Sequence, residues 1–270
     1  MDNRVIGIFD SGLGGLTAVR ELQRSMPQEH FVFFGDTARN PYGPRSKPEL
    51  TKFGRQNIAF LNSFHPKAII VACGTISANA LDIVQRENDV PIFGVIEPAV
   101  QCAIASAKEG TVGVIATEAS IRSGAYERRL RETDPGLTVI TQACPAFVPL
   151  IERGEAAPGD PHTEKHIREY LSPMKDKVEM LILGCTHYPL LSQSIETYLG
   201  AGVKLIDVGA ECIRELGKYL EEHDMKADKR SVATDRYFVS GDTKVFAASA
   251  EKFLGYDISA SLHQVDITKY

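Results

Sequence analysis

Short apolar runs alternate along the chain with longer segments in which apolar residues recur at helical spacing. The runs occupy residues 5–9, 31–34, 68–72, 92–95, 112–115, 139–142, 181–183 and 204–208. Strands without polar alternation are buried on both faces, which is typical of parallel sheets covered by helices. The pattern therefore predicts an α/β fold built from doubly wound, mainly parallel sheets. After residue 210 it predicts an amphipathic helix, a strand near 237–239 and a helix near 245–254.

Two of these runs pass through a cysteine into a polar turn. The run AIIVAC ends at Cys73 and continues with Gly-Thr, and the run MLILGC ends at Cys185 and continues with Thr-His. The matched contexts indicate two structurally related halves, or pseudo-symmetry. Ligands of open α/β sheets bind beyond the carboxyl ends of the strands. The separation of 112 residues therefore predicts one thiol in each of two domains, both facing a shared cleft.

The domain boundaries follow from turns and from the length of the remainder. A proline-containing turn at Glu97-Pro98 predicts the first boundary, and the strand at 204–208 ends the second unit. The C-terminal remainder is too short to form a domain alone. We therefore expect a discontinuous first domain, 1–97 plus 209–270, and a second domain, 98–208. The return of 209–270 to the first domain also draws on the family resemblance given below.

Composition narrows the class of protein. The chain has 270 residues, of which 43% are hydrophobic and 24% charged, as expected for a globular protein. Its net charge of -5 disfavours nucleic acid as a primary partner. No apolar run approaches the ~20 residues of a membrane span, and the first is too short for a signal peptide. Five cysteines without an export signal predict reduced thiols in the cytoplasm.

The paired cysteines suggest proton-transfer chemistry. A thiol at the start of a helix lies near backbone N–H groups, so we expect its pKa to be lowered toward neutrality. One thiolate would remove an α-proton and the opposing thiol would deliver one, which inverts a stereocentre without a cofactor. The sequence has no recognisable pyridoxal-lysine site. His162 and His166 are spaced like a metal pair but lack a third ligand, so no metal is expected.

Four segments together resemble the glutamate racemases of the aspartate/glutamate racemase superfamily. They are FDSGLGGLT at 9–17, GDTARNPYG at 35–43, GVIEP at 94–98 and LGCTHYPL at 183–190. The resemblance runs from the first strand to the SGD segment at 240–242. It implies a two-domain aspartate/glutamate racemase-like fold, no metal or organic cofactor, and L- and D-glutamate as substrates. It also implies a cytoplasmic homodimer that supplies D-glutamate for peptidoglycan.

The resemblance also implies roles for individual residues. Cys73 and Cys185 match the two acid/base cysteines, and Asp10, Glu152 and His187 match the supporting catalytic acids and histidine. The positions that match or adjoin the substrate are Asp10, Ser11, Pro41, Tyr42, Gly43, Gly74, Thr75, Thr186 and His187. One departure stands out, because the family usually has Cys-Asn-Thr where this chain has Cys73-Gly74-Thr75. A side-chain amide contact to the substrate is therefore missing, and backbone N–H groups, water or Thr186 would replace it.

Structural interpretations of the same residues stay open. Asp10 and Ser11 also suit helix caps or turns, His187 suits a turn, and Glu152 suits a solvated helix face. Cys102, Cys144 and Cys212 are expected to be core residues. Alternative functions are an aspartate or other amino-acid racemase of the same fold, topoisomerase inhibition as a side activity, and a dithiol redox protein, which would need the two thiols close enough to bridge.

Overall fold

Two parallel sheets form the framework of the protein. A computed structural model describes residues 1–106, 110–228 and 235–270. The strands of the described residues are β1 Ile6–Asp10, β2 Phe31–Gly35, β3 Ala68–Val71, β4 Ile92–Gly94, β5 Thr111–Ala116, β6 Thr138–Ala143, β7 Met180–Leu183, β8 Lys204–Asp207, β9 Arg236–Val239 and β10 Leu262–Gln264. All eight apolar runs of the sequence form strands, so the prediction of an α/β fold with parallel sheets is confirmed.

Helices cover the sheets. In the described part of the chain they are α1 Leu16–Ser25, α2 Lys47–Asn62, α3 Gly74–Asn79, α4 Leu81–Arg86, α5 Ile96–Ser106, α6 Glu118–Arg122, α7 Ala125–Thr133, α8 Phe147–Glu152, α9 Pro161–Leu171, α10 Ser192–Leu199, α11 Val208–Glu222 and α12 Thr243–Leu254. Short 3-10 helices occupy Leu13–Gly15, Tyr188–Leu191, Ser259–Ser261 and Ile267–Lys269. Among these helices, none is both long and apolar enough to cross a membrane.

Local sequence fixes where several helices begin. Ser46 and Glu49 form a capping box at the start of α2, where each side chain satisfies a backbone N–H group. The Asp207 carboxylate accepts hydrogen bonds from the first turn of α11, and Asp242 does the same for α12. These caps satisfy N–H groups that have no partner within the helix. Helix α11 therefore begins directly after β8, and α12 begins after a turn of three residues that follows β9.

The two sheets share one strand order. The first sheet runs β10-β9-β2-β1-β3-β4, and the second runs β6-β5-β7-β8. When β5 to β8 are matched to β1 to β4, both sheets contain the order 2-1-3-4. In this order the second strand lies on one side of the first strand and the third and fourth lie on the other. The change of side opens a crevice at the carboxyl ends of the strands. Cys73 follows β3 and Cys185 follows β7, so the cysteines occupy corresponding positions in the two sheets.

The C-terminal strands return to the first sheet. Strand β9 pairs with β2, and β10, which the sequence pattern did not predict, pairs with β9 at the edge. Helix α11 packs between α1 and α5 and so connects the two halves. The first sheet thus draws its strands from residues 6–94 and 236–264, and the second from 111–207. This arrangement supports our proposal of one domain formed by 1–97 plus 209–270 and another formed by 98–208.

Candidate active site

A cavity of about 220 Å³ lies where the carboxyl ends of the two sheets face each other. Its walls come from the loops after β1, β2 and β3 of the first sheet and from the loops after β5, β6 and β7 of the second. Both Cys73 and Cys185 line it, and both are free thiols. The structure therefore brings together the two cysteines that the sequence pattern singled out, one from each sheet.

The Cys73 thiol is buried at the start of α3. Only 3% of the residue is exposed. Burial, followed by the negative charge of the nearby Asp10 carboxylate, raises the pKa of Cys73 to about 12. The backbone N–H groups of Ile76 and Thr75 act in the opposite direction, as expected at a helix start. The expectation that this helix start lowers the pKa of Cys73 toward neutrality was therefore wrong, because loss of water outweighs the backbone donors.

A hydrogen-bonded chain leads away from Cys185. The Sγ atom of Cys185 lies 3.8 Å from Nδ1 of His187, and Nε2 of His187 lies 3.2 Å from Oε1 of Glu152. Burial lowers the pKa of His187, but its hydrogen bonds with Cys185 and Glu152 outweigh that effect and raise this pKa to about 10. A protonated imidazole is thus held between a thiol and a carboxylate. His187 lies in the cavity wall and Glu152 lies behind it.

Asp10 is fully buried behind the cavity wall. Its carboxylate accepts hydrogen bonds from the backbone N–H of Gly12, at 3.1 Å, and from the hydroxyl of Thr186, at 3.2 Å. The first bond is the local turn that the sequence allowed. The second joins the two halves of the molecule. Burial raises the pKa of Asp10, and the positive charge of His187 opposes that shift. Asp10 therefore contacts the site through Thr186 and through its charge.

The remaining substrate-binding candidates line the cavity. They are Ser11, Pro41, Tyr42, Gly43, Gly74, Thr75 and Thr186. The hydroxyl of Tyr42 donates a hydrogen bond to Asp36 and accepts one from Asn57. Both partners belong to the half of the molecule that contains the first sheet, so this hydroxyl is engaged away from the second half. The hydroxyl of Thr75 lies 2.9 Å from that of Thr117 across the cleft.

Sequence reasoning did not assign several lining residues to this site, among them Asn40, Thr117 and Cys144. Asn40 donates a hydrogen bond of 2.7 Å to Glu152, and Thr117 contacts Thr75. Cys144 has no exposed surface and packs in the core as expected, but it also borders the cavity. Each lies in a loop that follows a strand, which is the signal that could have found them. Among the described residues, no three His, Cys, Asp or Glu side chains are placed to hold a metal ion.

Comparisons with known proteins are consistent with this geometry. The sequence model of the family described as Asp/Glu/Hydantoin racemase matches residues 17–216. The chain is 42% identical over 254 residues to a glutamate racemase of Lactococcus lactis subsp. cremoris, covering 94% of this chain and 93% of that protein. It is similar to the crystal structure of the Francisella tularensis glutamate racemase in complex with D-glutamate, with a TM-score of 0.91, 39% identity and full coverage of both chains. A Bacillus anthracis glutamate racemase also gives a TM-score of 0.91, at 37% identity, covering 98% of each chain.

Proposed function

Because the chain belongs to the Asp/Glu/Hydantoin racemase family, we propose that it interconverts L- and D-glutamate by proton transfer between Cys73 and Cys185. Its membership makes the chain an amino-acid racemase, an isomerase. The observation that carries the two-cysteine scheme is the placement of both thiols in one cavity, each after the corresponding strand of its own sheet. Glutamate as substrate is supported by the relatives, which are glutamate racemases.

The reaction needs one base and one acid on opposite sides of the α-carbon. The thiolate of one cysteine accepts the α-proton, and the C–H electron pair passes into the carboxylate as an enediolate. The thiol of the other cysteine then delivers its proton to the opposite face of the α-carbon. The first cysteine ends as a thiol and the second as a thiolate, so charge and protons balance. The reverse reaction exchanges their roles, and no cofactor takes part.

The surroundings of Cys73 suit a strong base. A thiol whose pKa is raised to about 12 is rarely ionised in the absence of substrate. Once formed, however, its thiolate is a strong base and binds a proton tightly. The ammonium group of a bound amino acid would stabilise that thiolate, because an opposite charge favours the ionised form. On the other side, the imidazolium of His187 would stabilise the Cys185 thiolate, and Glu152 would hold the imidazole in place.

Substrate carboxylates would be held by hydroxyl and backbone donors. Ser11, Thr75, Thr117 and Thr186 supply hydroxyl groups to the cavity wall. The backbone N–H groups after Cys73 would replace the amide side chain that Gly74 lacks, since turns of this kind bind anions.

We also propose, from the family resemblance, a cytoplasmic homodimer that supplies D-glutamate for peptidoglycan. The mass of the protein in solution, measured by light scattering, tests the dimer.

The experiment that tests this function is a racemisation assay on four substrates. Circular dichroism would follow L- and D-glutamate beside L- and D-aspartate, with the purified protein and no added cofactor. We expect both glutamate enantiomers to converge on the racemic mixture and aspartate to react at least tenfold more slowly. Faster reaction with aspartate would replace the glutamate assignment by the alternative of an aspartate racemase. Loss of all activity after dialysis against chelator would contradict the cofactor-free scheme.

A further inference from the structure

One hydrogen bond joins the two halves of the molecule beside the cavity. Asn40 lies in the loop after β2, and Glu152 ends α8 on the opposite side of the cleft. The amide nitrogen Nδ2 of Asn40 donates to Oε1 of Glu152 at 2.7 Å. The same oxygen lies 3.2 Å from Nε2 of His187. A single carboxylate oxygen therefore receives one contact from the first half and one from the histidine that contacts Cys185.

The carboxylate needs such a contact to stay in place. The Glu152 side chain is 32% exposed, whereas the His187 side chain is 2% exposed. Glu152 and Asn40 also border a second cavity of about 320 Å³ on the outer side of this contact. A carboxylate at such a surface is free to turn toward water unless a donor fixes it, since exposed ion pairs gain little from their charge alone.

The neighbouring backbone leaves room for this bond. A Cβ atom on Gly12 would lie 3.3 Å from Nδ2 of Asn40 and 3.3 Å from Oε1 of Glu152, which is closer than most such contacts. Glycine at this position therefore lets the amide and the carboxylate meet without crowding. The contact joins a loop of the first sheet's half to a helix of the second sheet's half, 112 positions away along the chain.

We propose that Asn40 is a positioning residue that orients Glu152 and His187 beside Cys185 from the opposite side of the cleft. The inference rests on the proposed racemase function and extends it. The Asn40 amide fixes Oε1 of Glu152, and Oε1 in turn holds the imidazole of His187 against the Cys185 thiol. Asn40 thus acts through Glu152 without taking part in proton transfer itself.

The test compares Asn40→Leu with Asn62→Leu in the wild-type chain. Asn62 is a matched control because it is also half-buried and donates to another side chain, Asn88 at 3.0 Å. We expect Asn40→Leu to lower kcat about tenfold, the size of effect typical when a hydrogen bond to a charged group is lost, and to change KM less than threefold. The control should keep wild-type kinetics. Melting temperatures of all variants establish that they are folded.

A double-mutant cycle separates a positioning role from a general structural one. If Asn40 acts through Glu152, Asn40→Leu should cause no further loss of kcat in a Glu152→Gln background. The alkaline limit of activity should also move to lower pH in Asn40→Leu, because His187, which faces Cys185, Glu152 and Asp10, then holds its proton less firmly. Should Asn40→Leu fold poorly, Asn40→Ala, which loses the donor and adds no charge, serves in its place.

The outcomes distinguish the two levels of inference. Wild-type kinetics in Asn40→Leu, or an equal loss of kcat in both backgrounds, would overturn the positioning role while leaving the racemase function intact. A wild-type chain that racemises neither glutamate nor aspartate would overturn the proposed function and this inference with it. A loss of kcat that disappears in the Glu152→Gln background supports both.

Discussion

The carbonyl oxygen of Gly184 lies 2.5 Å from the point that a Cβ atom on Gly74 would occupy. Gly74 follows Cys73 and Gly184 precedes Cys185, so the two cysteine-bearing turns approach each other through their backbones. From the sequence, Gly74 was noted only as the loss of an amide contact. In this arrangement of the two halves there is no room for a side chain at position 74. The close approach of the Gly184 carbonyl therefore explains why this position is glycine.

Substitution of Gly74 should therefore impair the enzyme. Gly74→Ala places a methyl group against the Gly184 carbonyl, and we expect kcat/KM for glutamate to fall by about 5- to 160-fold, which corresponds to the cost of overpacking, about 1–3 kcal/mol. Gly202→Ala is the matched control, since a Cβ there meets nothing within 4 Å. Gly74→Asn, which recreates the usual family residue, should be no better than alanine. Wild-type kinetics for Gly74→Ala, or higher activity for Gly74→Asn, would show that the close approach has no bearing on catalysis.

The three cysteines of the cavity should differ sharply in importance. We expect Cys73→Ser and Cys185→Ser each to lower racemisation at least 100-fold, because removal of a general acid or base typically costs that much. Cys144→Ser is the matched control, since Cys144 borders the same cavity but has no part in the two-base scheme. Circular dichroism measures the rates, and NMR in deuterated water should find solvent deuterium on the product α-carbon. Near wild-type rates in either of the first two variants would rule out the scheme.

Strand positions could be predicted from the sequence because they depend on local patterns. Buried parallel strands are apolar throughout, and each such run forms a strand in the structure. The edge strand β10 was missed, because its three residues include the exposed His263 and Gln264 and give no apolar run. The pairing of Cys73 with Cys185 was also predictable, since both follow equivalent strands of two related sheets, and ligands of such sheets bind beyond the carboxyl ends of the strands.

Individual side-chain hydrogen bonds between the two halves could not be predicted. Asn40 meets Glu152 across 112 positions, and Thr75 meets Thr117 across 42, so no local pattern connects either pair. The prediction of a lowered pKa for Cys73 was wrong for a related reason. Its backbone donors are local and visible in sequence, but the burial that outweighs them depends on how the two halves pack.

The pKa of His187 gives a prediction about stability. Its value of about 10 lies above the ordinary 6.5, so this contribution to stability is complete below about pH 6.5 and is lost as pH rises through about 10. Glu152→Gln removes the charge of one of the two hydrogen-bonded partners, Cys185 and Glu152, that raise the pKa of His187. We expect the variant to unfold about 1–3 kcal/mol more easily at pH 7, with a smaller difference near pH 10.

Urea unfolding at the two pH values measures this difference, and NMR of labelled histidine follows the His187 pKa directly. Glu155→Gln is the matched control, because Glu155 is an exposed carboxylate three residues away that pairs with Arg153. We expect its unfolding to differ little from the wild type at either pH. A Glu152→Gln difference that grows between pH 7 and pH 10 would contradict the assignment of the raised pKa to His187.

The raised pKa of Cys73 predicts a thiol that reacts slowly although it lines the cavity. With a pKa of about 12, only about one molecule in 10⁴ carries the thiolate at pH 8, and the thiolate is the reactive form. Iodoacetamide should therefore modify Cys73 more slowly than Cys102, which is half-buried and serves as an internal reference in the same digest. Peptide mass spectrometry measures both rates.

Removal of the Asp10 charge should reverse part of this protection. Asp10→Asn eliminates the carboxylate that raises the Cys73 pKa, so alkylation of Cys73 at pH 8 should become faster, by several-fold. Racemisation should fall at the same time, because the asparagine also changes the contact with Thr186 and the base becomes weaker. Asp257→Asn provides the carboxylate control, because Asp257 accepts a hydrogen bond from the backbone N–H of Ser259 and lines neither cavity. Faster alkylation together with slower racemisation in Asp10→Asn would show that the Asp10 charge makes Cys73 a stronger base. Unchanged alkylation would mean that burial alone raises the Cys73 pKa.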